Sequence, residues 1–146
     1  MFHKNKEIVS FEILTLRLSG MRNICEYEIT EKAGKAEVTR YGIRFSEEGD
    51  RRVPEKRAVC DGGVILELLN DCKLLSWDGF YGPHPKGVTD GTMFRLNATV
   101  NDGKTVSANG SQNFPKHYHD LRDGLYDILE KYAVGIDESG TEKTDT

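Results

Sequence analysis

The stretch FRLNATVNDGKTVSA, residues 94–108, decides the fold class of this chain. Apolar side chains alternate with polar ones on both sides of Asp102-Gly103, a pair that tolerates the positive φ of a tight turn. Alternation with a period of two places one set of side chains on a buried sheet face and the other set in water. The stretch therefore predicts an antiparallel β-hairpin with one wet face.

The first 45 residues predict a three-stranded meander upstream of this hairpin. The apolar phase of the first strand shifts between Ile13 and Leu14, as a β-bulge or burial on both faces would produce. The next two strands carry apolar side chains at alternate positions, namely Cys25, Tyr27 and Ile29, then Tyr41, Ile43 and Phe45.

A charged stretch, residues 46–57, follows the meander and is interpreted as a solvated connection. Beyond it, apolar residues recur at helical spacing from Val64 to Leu75. Two starts for this helix remain open, because Pro54 suits a first turn and Asp61 is a good N-cap.

A second amphipathic helix is predicted from about Lys116 to Tyr132, where apolar side chains recur at steps of three and four. Gly135 suits its C-terminal stop. Residues 137–146 are expected to be a disordered acidic tail, and residues 1–136 a single domain.

These elements predict an α+β fold in the order βββαββα. An antiparallel sheet of about five strands, a three-stranded meander plus the hairpin, carries two helices packed on one face.

Composition excludes several classes of function. With a net charge of −4 and interspersed charges, the chain offers no positive field for nucleic acid. No signal peptide is recognised, and no stretch approaches the roughly 18 apolar residues of a membrane span. Cys25, Cys60 and Cys72 are an odd number without CxxC spacing, which indicates reduced thiols. We therefore expect a cytoplasmic protein without membrane or nucleic-acid partners.

Catalytic patterns are weak throughout the chain. His117 and His119 diverge by about 200° at a helix start, so a metal site with the distant His84 is a weak candidate and no metal is predicted. Asp61 beside Cys60 would raise a thiol pKa rather than lower it. No cofactor is implied.

The aromatic loop after the first helix is the strongest candidate for a binding site. Large aromatic rings beside amide and carboxylate groups are typical of ligand pockets and interfaces. In the alternative interpretation, Trp77 and Phe80 plug the core and Asp78 caps a turn. The candidate ligand-binding residues are Trp77, Asp78, Phe80, Tyr81, Ser111 and Asn113.

About half of the chain, residues 65–132, resembles a group of small uncharacterised bacterial proteins. The shared features are a WDGF loop at 77–80, the DG turn at 102–103, and an NGSxxFP segment at 109–115 before an amphipathic helix. The resemblance implies a bacterial origin and a self-contained domain, and it brings no assigned activity or catalytic residue.

The sequence thus favours a non-catalytic interaction or small-ligand-binding module with an unknown protein or small-molecule partner. The alternative is a small hydrolase or metal-dependent enzyme using His117, His119 or His84. A third hypothesis is that the wet sheet face mediates homo-oligomerisation.

Overall fold

The computed structural model describes residues 7–20, 24–87 and 91–135. Within them, two α-helices and a one-turn 3₁₀ helix pack with a sheet of eight strands. In chain order the elements are β1 (Phe11–Ser19), β2 (Ile24–Lys32), β3 (Lys35–Arg44), β4 (Arg51–Asp61), α1 (Gly62–Asp71), the 3₁₀ helix (Leu74–Trp77), β5 (Tyr81–Gly82), β6 (Met93–Val100), β7 (Lys104–Ser111), α2 (Tyr118–Lys131) and β8 (Ala133–Val134).

The predicted hairpin is confirmed as β6 and β7, which pair antiparallel with Leu96 opposite Ala108. Its connection is the three-residue loop 101–103, in which Asn101, Asp102 and Gly103 all have positive φ. The positive φ expected of the Asp-Gly pair thus extends one residue upstream.

The predicted meander is confirmed as β1, β2 and β3, and β1 also pairs with β6 of the hairpin. The register of β1 against β6 shifts between Phe11 and Ile13, which is the bulge that the apolar phase change indicated. After this shift Leu14 and Leu16 point into the core and are fully buried.

The prediction that residues 46–57 form a solvated connection is wrong, because β4 begins at Arg51 and pairs with β3 along its length. Its charges are accommodated by partners on neighbouring elements. Arg52 binds Glu26 of β2, and Lys56 forms an ion pair with Glu130 of α2. A strand whose charges pair with neighbouring elements can therefore be as polar as a loop.

The sheet is larger than predicted, and it is mixed. Its order is β5-β7-β6-β1-β2-β3-β4-β8, in which the two-residue β5 runs parallel to β7 and the two-residue β8 extends the β4 edge. The element order is ββββαβββαβ, so the predicted five antiparallel strands and the order βββαββα are corrected.

Both predicted helices are present. Asp61 is the N-cap of α1, since its carboxylate accepts a hydrogen bond from the Gly63 backbone N–H at 3.3 Å. The start at Pro54 is therefore wrong, because that residue lies inside β4. Helix α2 falls within the predicted limits and buries its apolar stripe, including Leu121 and Leu125, in the same core as α1.

In the described ranges, no helix is long and apolar enough to cross a membrane. The predicted tail, residues 137–146, lies outside the described residues, as do residues 1–6, 21–23, 88–90 and 136.

Candidate functional site: an edge pocket on the open sheet face

The sheet face opposite the helices, here the open face, carries the polar side chains of the alternating strands. Near the β5 edge it forms a cavity of 420 Å³, which we call the edge pocket. Six open-face residues at the ends of three strands line it, and β5 with the following loop forms a wall. These six are Arg17 and Ser19 of β1, Met93 and Arg95 of β6, and Asn109 and Ser111 of β7.

The wall of the edge pocket is held by backbone contacts. The Asn109 N–H donates to the Phe80 carbonyl at 3.1 Å, beside the pairing of β5 with β7. Gly82 fits closely against Asn113, which follows β7, because a Cβ added to Gly82 would lie 2.6 Å from the Asn113 carbonyl oxygen. The Asn113 amide nitrogen also donates to the Pro83 carbonyl at 3.4 Å. These contacts preform the wall.

His84 and Ser111 meet inside the pocket. The His84 Nδ1 and Ser111 Oγ atoms are 2.7 Å apart, a hydrogen bond whose direction depends on the tautomer of the imidazole. The contact joins the loop after β5 to the end of β7, so it also fixes the position of the wall.

Two arginines face each other at the pocket. Arg17 of β1 lies directly opposite Arg95 of β6 in the register. On the other side of Arg17 lies Glu26 of β2, but its Oε2 accepts a hydrogen bond from Arg52 at 2.8 Å. Like charges placed directly across a strand pair are destabilising.

Of two predicted binding residues, Trp77 lies in the core and Phe80 is partly buried against it. Trp77 is 1% exposed, and its Nε1–H donates to the Cys72 carbonyl at 3.2 Å. Phe80 packs against Phe94, with ring centroids 6.1 Å apart. The burial of Trp77 agrees with the alternative interpretation that it plugs the core, whereas Phe80 is only partly buried.

Of the other predicted binding residues, two line the edge pocket and two do not. The Asp78 carboxylate accepts a hydrogen bond from the backbone N–H of Ser107, in the middle of β7, at 3.0 Å. Tyr81, which is 70% exposed, and Ser111 both line the pocket. Asn113 lies behind the wall, against Gly82.

The three histidines proposed as weak metal candidates do not converge. His117 is the N-cap of α2 and places its Nδ1 2.9 Å from the Asp120 carboxylate. The His119 ring lies edge-on against Tyr118, and His84 lines the edge pocket. In the part of the chain that the structure describes, no group of three His, Cys, Asp or Glu side chains could hold a metal ion.

The pKa values of the three cysteine thiols are raised, which disfavours the reactive thiolate form. Burial raises the pKa of Cys72 from 9.0 to about 12. Burial also raises the pKa of Cys60, and the neighbouring Asp61 raises it further, as its sequence position predicted. The pKa of Cys25 is raised by burial too. Reactive cysteines require a lowered pKa, so none of the three has the environment of a catalytic thiolate.

Sequence reasoning missed most of the pocket floor. Arg17 and Arg95 sit at polar positions of alternating strands, which resemble any solvated sheet face. Their meeting depends on the pairing of β1 with β6, strands separated by more than 70 residues. The hairpin pattern alone could have placed Asn109 opposite Arg95.

Comparison of the chain with protein-family models, with curated proteins and with solved structures finds no match.

Proposed function

We propose that the protein is a non-catalytic small-ligand-binding module and that the edge pocket is its ligand site. The observation that carries this proposal is the preformed 420 Å³ cavity, a size within the range of small-molecule sites. Neither the core nor the helix packing requires this cavity, because it lies on the open face.

The pocket combines the two kinds of surface that small-molecule sites use. Tyr81 and Met93 supply apolar area, and both side chains are more than half exposed. Ser111, Asn109 and the arginines supply hydrogen-bonding groups that can orient a ligand. An exposed aromatic ring over polar groups gives affinity without a large loss of conformational entropy.

The test is a screen of a small-fragment library by saturation-transfer NMR against the wild-type protein and Tyr81→Ala. The variant should lose the fragment signals while its urea midpoint stays within the scatter of replicate measurements, because the removed ring is exposed. Tyr126→Ala is the matched control, since Tyr126 is 58% exposed on α2 and does not line the pocket. Equal binding by both variants and wild type would contradict the proposal.

A second candidate function, a small hydrolase, is favoured by the 2.7 Å contact between His84 and Ser111. Ser111 Oγ would attack an ester carbonyl as His84 takes its proton, and the C–O bond to the alcohol would break as His84 passes that proton to the alcohol oxygen. Water, deprotonated by His84, would then attack the acylated serine and release the acid, which restores Ser111. This candidate predicts that a fluorophosphonate probe labels Ser111 and that Ser111→Ala abolishes labelling. An unlabelled wild-type protein would leave the binding module as the better account.

We also propose a cytoplasmic location in a bacterium, supported by the resemblance over residues 65–132 and by the three free thiols. On this proposal, the partner of the protein is the small molecule that it binds.

The hypothesis of homo-oligomerisation through the open face stays a prediction, which multi-angle light scattering tests directly.

A further inference from the structure

Arg17 and Arg95 line the floor of the edge pocket, and among the described residues neither of them forms an ion pair with a carboxylate. The described ion pairs are made by other basic residues. Glu26, the carboxylate in register with Arg17, is bound by Arg52. The two arginines oppose each other directly. Two positively charged residues are therefore neighbours across the β1–β6 pair, and both line a cavity in a chain whose net charge is −4.

Resting on the proposed function, we infer that the ligand carries a carboxylate or phosphate group bound between Arg17 and Arg95. The planar guanidinium group donates parallel hydrogen bonds that match the two oxygens of such an anion. An anion in this position converts the repulsion between the arginines into two attractions. A neutral ligand would leave that repulsion in place.

The remaining lining of the pocket fits such an amphiphilic ligand. Hydroxyl groups of Ser19 and Ser111 and the Asn109 amide lie around the same floor and can donate to further oxygens of the anion. Tyr81 and Met93 offer apolar contact to the body of the molecule. The inferred ligand class is therefore a small organic acid or phosphate ester with an apolar or aromatic body.

A nucleic-acid backbone does not fit this position. The wall at Tyr81 encloses one side of the arginines, and Glu26 and Glu28 lie on the strand next to Arg17. A polyanion that extended along the sheet would meet those carboxylates.

The test is a ¹H–¹⁵N NMR titration of the full chain at low salt with three probes: benzoate, benzamide and phenyl phosphate. Benzamide is nearly the same shape as benzoate and has no charge. Affinity is read from the backbone amides of Ser19, Gly82 and Ser111. We expect benzoate or phenyl phosphate to bind at least about tenfold more tightly than benzamide, as a charge-assisted hydrogen bond provides. The tighter of the two anions identifies the head group as carboxylate or phosphate.

Variants test whether the arginines cause the difference. Arg17→Gln and Arg95→Gln should each reduce anion affinity about tenfold or more and leave benzamide affinity unchanged. Both variants should retain or slightly raise the urea midpoint, because each removes a like-charge contact. Arg51→Gln removes one positive charge from an exposed residue outside the pocket lining and should bind as wild type does.

The two proposals fail in different ways. Equal affinity of the pocket amides for benzoate and benzamide would overturn the anion inference and retain the pocket as a binding site. Absence of any shift at the pocket amides with all three probes at millimolar concentration would overturn the proposed function as well.

Discussion

Replacing Trp77 by alanine should destabilise the fold strongly, because this ring fills the core beneath α2. The side chain is 1% exposed and lies 6.4 Å from the Tyr118 ring, centroid to centroid. Truncating a buried aromatic residue costs about 3–5 kcal/mol in free energy of unfolding. For a chain of this length that corresponds to a fall in Tm of roughly 10–15 °C. Tyr81→Ala should change the free energy of unfolding by less than about 0.5 kcal/mol.

Far-UV circular dichroism is the suitable assay, because Trp77 is the only tryptophan and its substitution removes the usual fluorescence signal. Trp77→Phe keeps an aromatic ring but leaves the Cys72 carbonyl without its indole donor. We expect an intermediate loss of about 1–3 kcal/mol for this variant. A Trp77→Ala protein that melts like wild type and yet loses fragment binding would refute the core assignment and return Trp77 to the ligand site.

Three further predictions are each checked by urea unfolding. Gly82→Ala should lower the free energy of unfolding by about 1–3 kcal/mol, because the added Cβ would lie 2.6 Å from the Asn113 carbonyl oxygen. The control Gly63→Ala, whose added Cβ would have no atom within 4 Å, should stabilise α1 by up to about 1 kcal/mol. Tyr118→Phe should leave the free energy of unfolding unchanged or raise it by about 1 kcal/mol, because its buried hydroxyl has no hydrogen-bond partner among the described residues; a clear loss would reveal such a partner. Burial raises the pKa of Cys72 from 9.0 to about 12, so between these pH values the native state keeps a proton that the unfolded chain releases. The free energy of unfolding should therefore fall as pH rises through this interval, and Cys72→Ala should flatten that fall. An equal pH dependence in wild type and Cys72→Ala would contradict the assignment.

The part of the fold that is local in sequence could be predicted. Residues 94–108 form their hairpin with neighbouring partners, and the leucine spacing of α2 creates its own buried stripe. Strand β4 escaped prediction because its charges are balanced by distant groups, such as Glu26 for Arg52, which a local window does not contain. The dipeptide strands β5 and β8 are too short to produce an alternating pattern.

The candidate site was predicted in part for the same reason. Tyr81 and Ser111 stand in segments with unusual local composition, and both line the edge pocket. Trp77 shares that composition but is buried, since an aromatic loop looks the same in sequence whether its rings plug a core or line a cleft. Arg17 and Arg95 come together only through the register of β1 on β6. Long-range strand pairing sets the chemistry of the pocket floor.

The most direct test of the ligand site is a crystal structure of the protein soaked with a mixed fragment library. The edge pocket is expected to hold the recurrent fragment density, in contact with Tyr81 and Ser111 and with any acidic group directed between Arg17 and Arg95. Fragment density that recurs at His117 and His119, with the edge pocket closed or without bound fragments, would contradict the assignment.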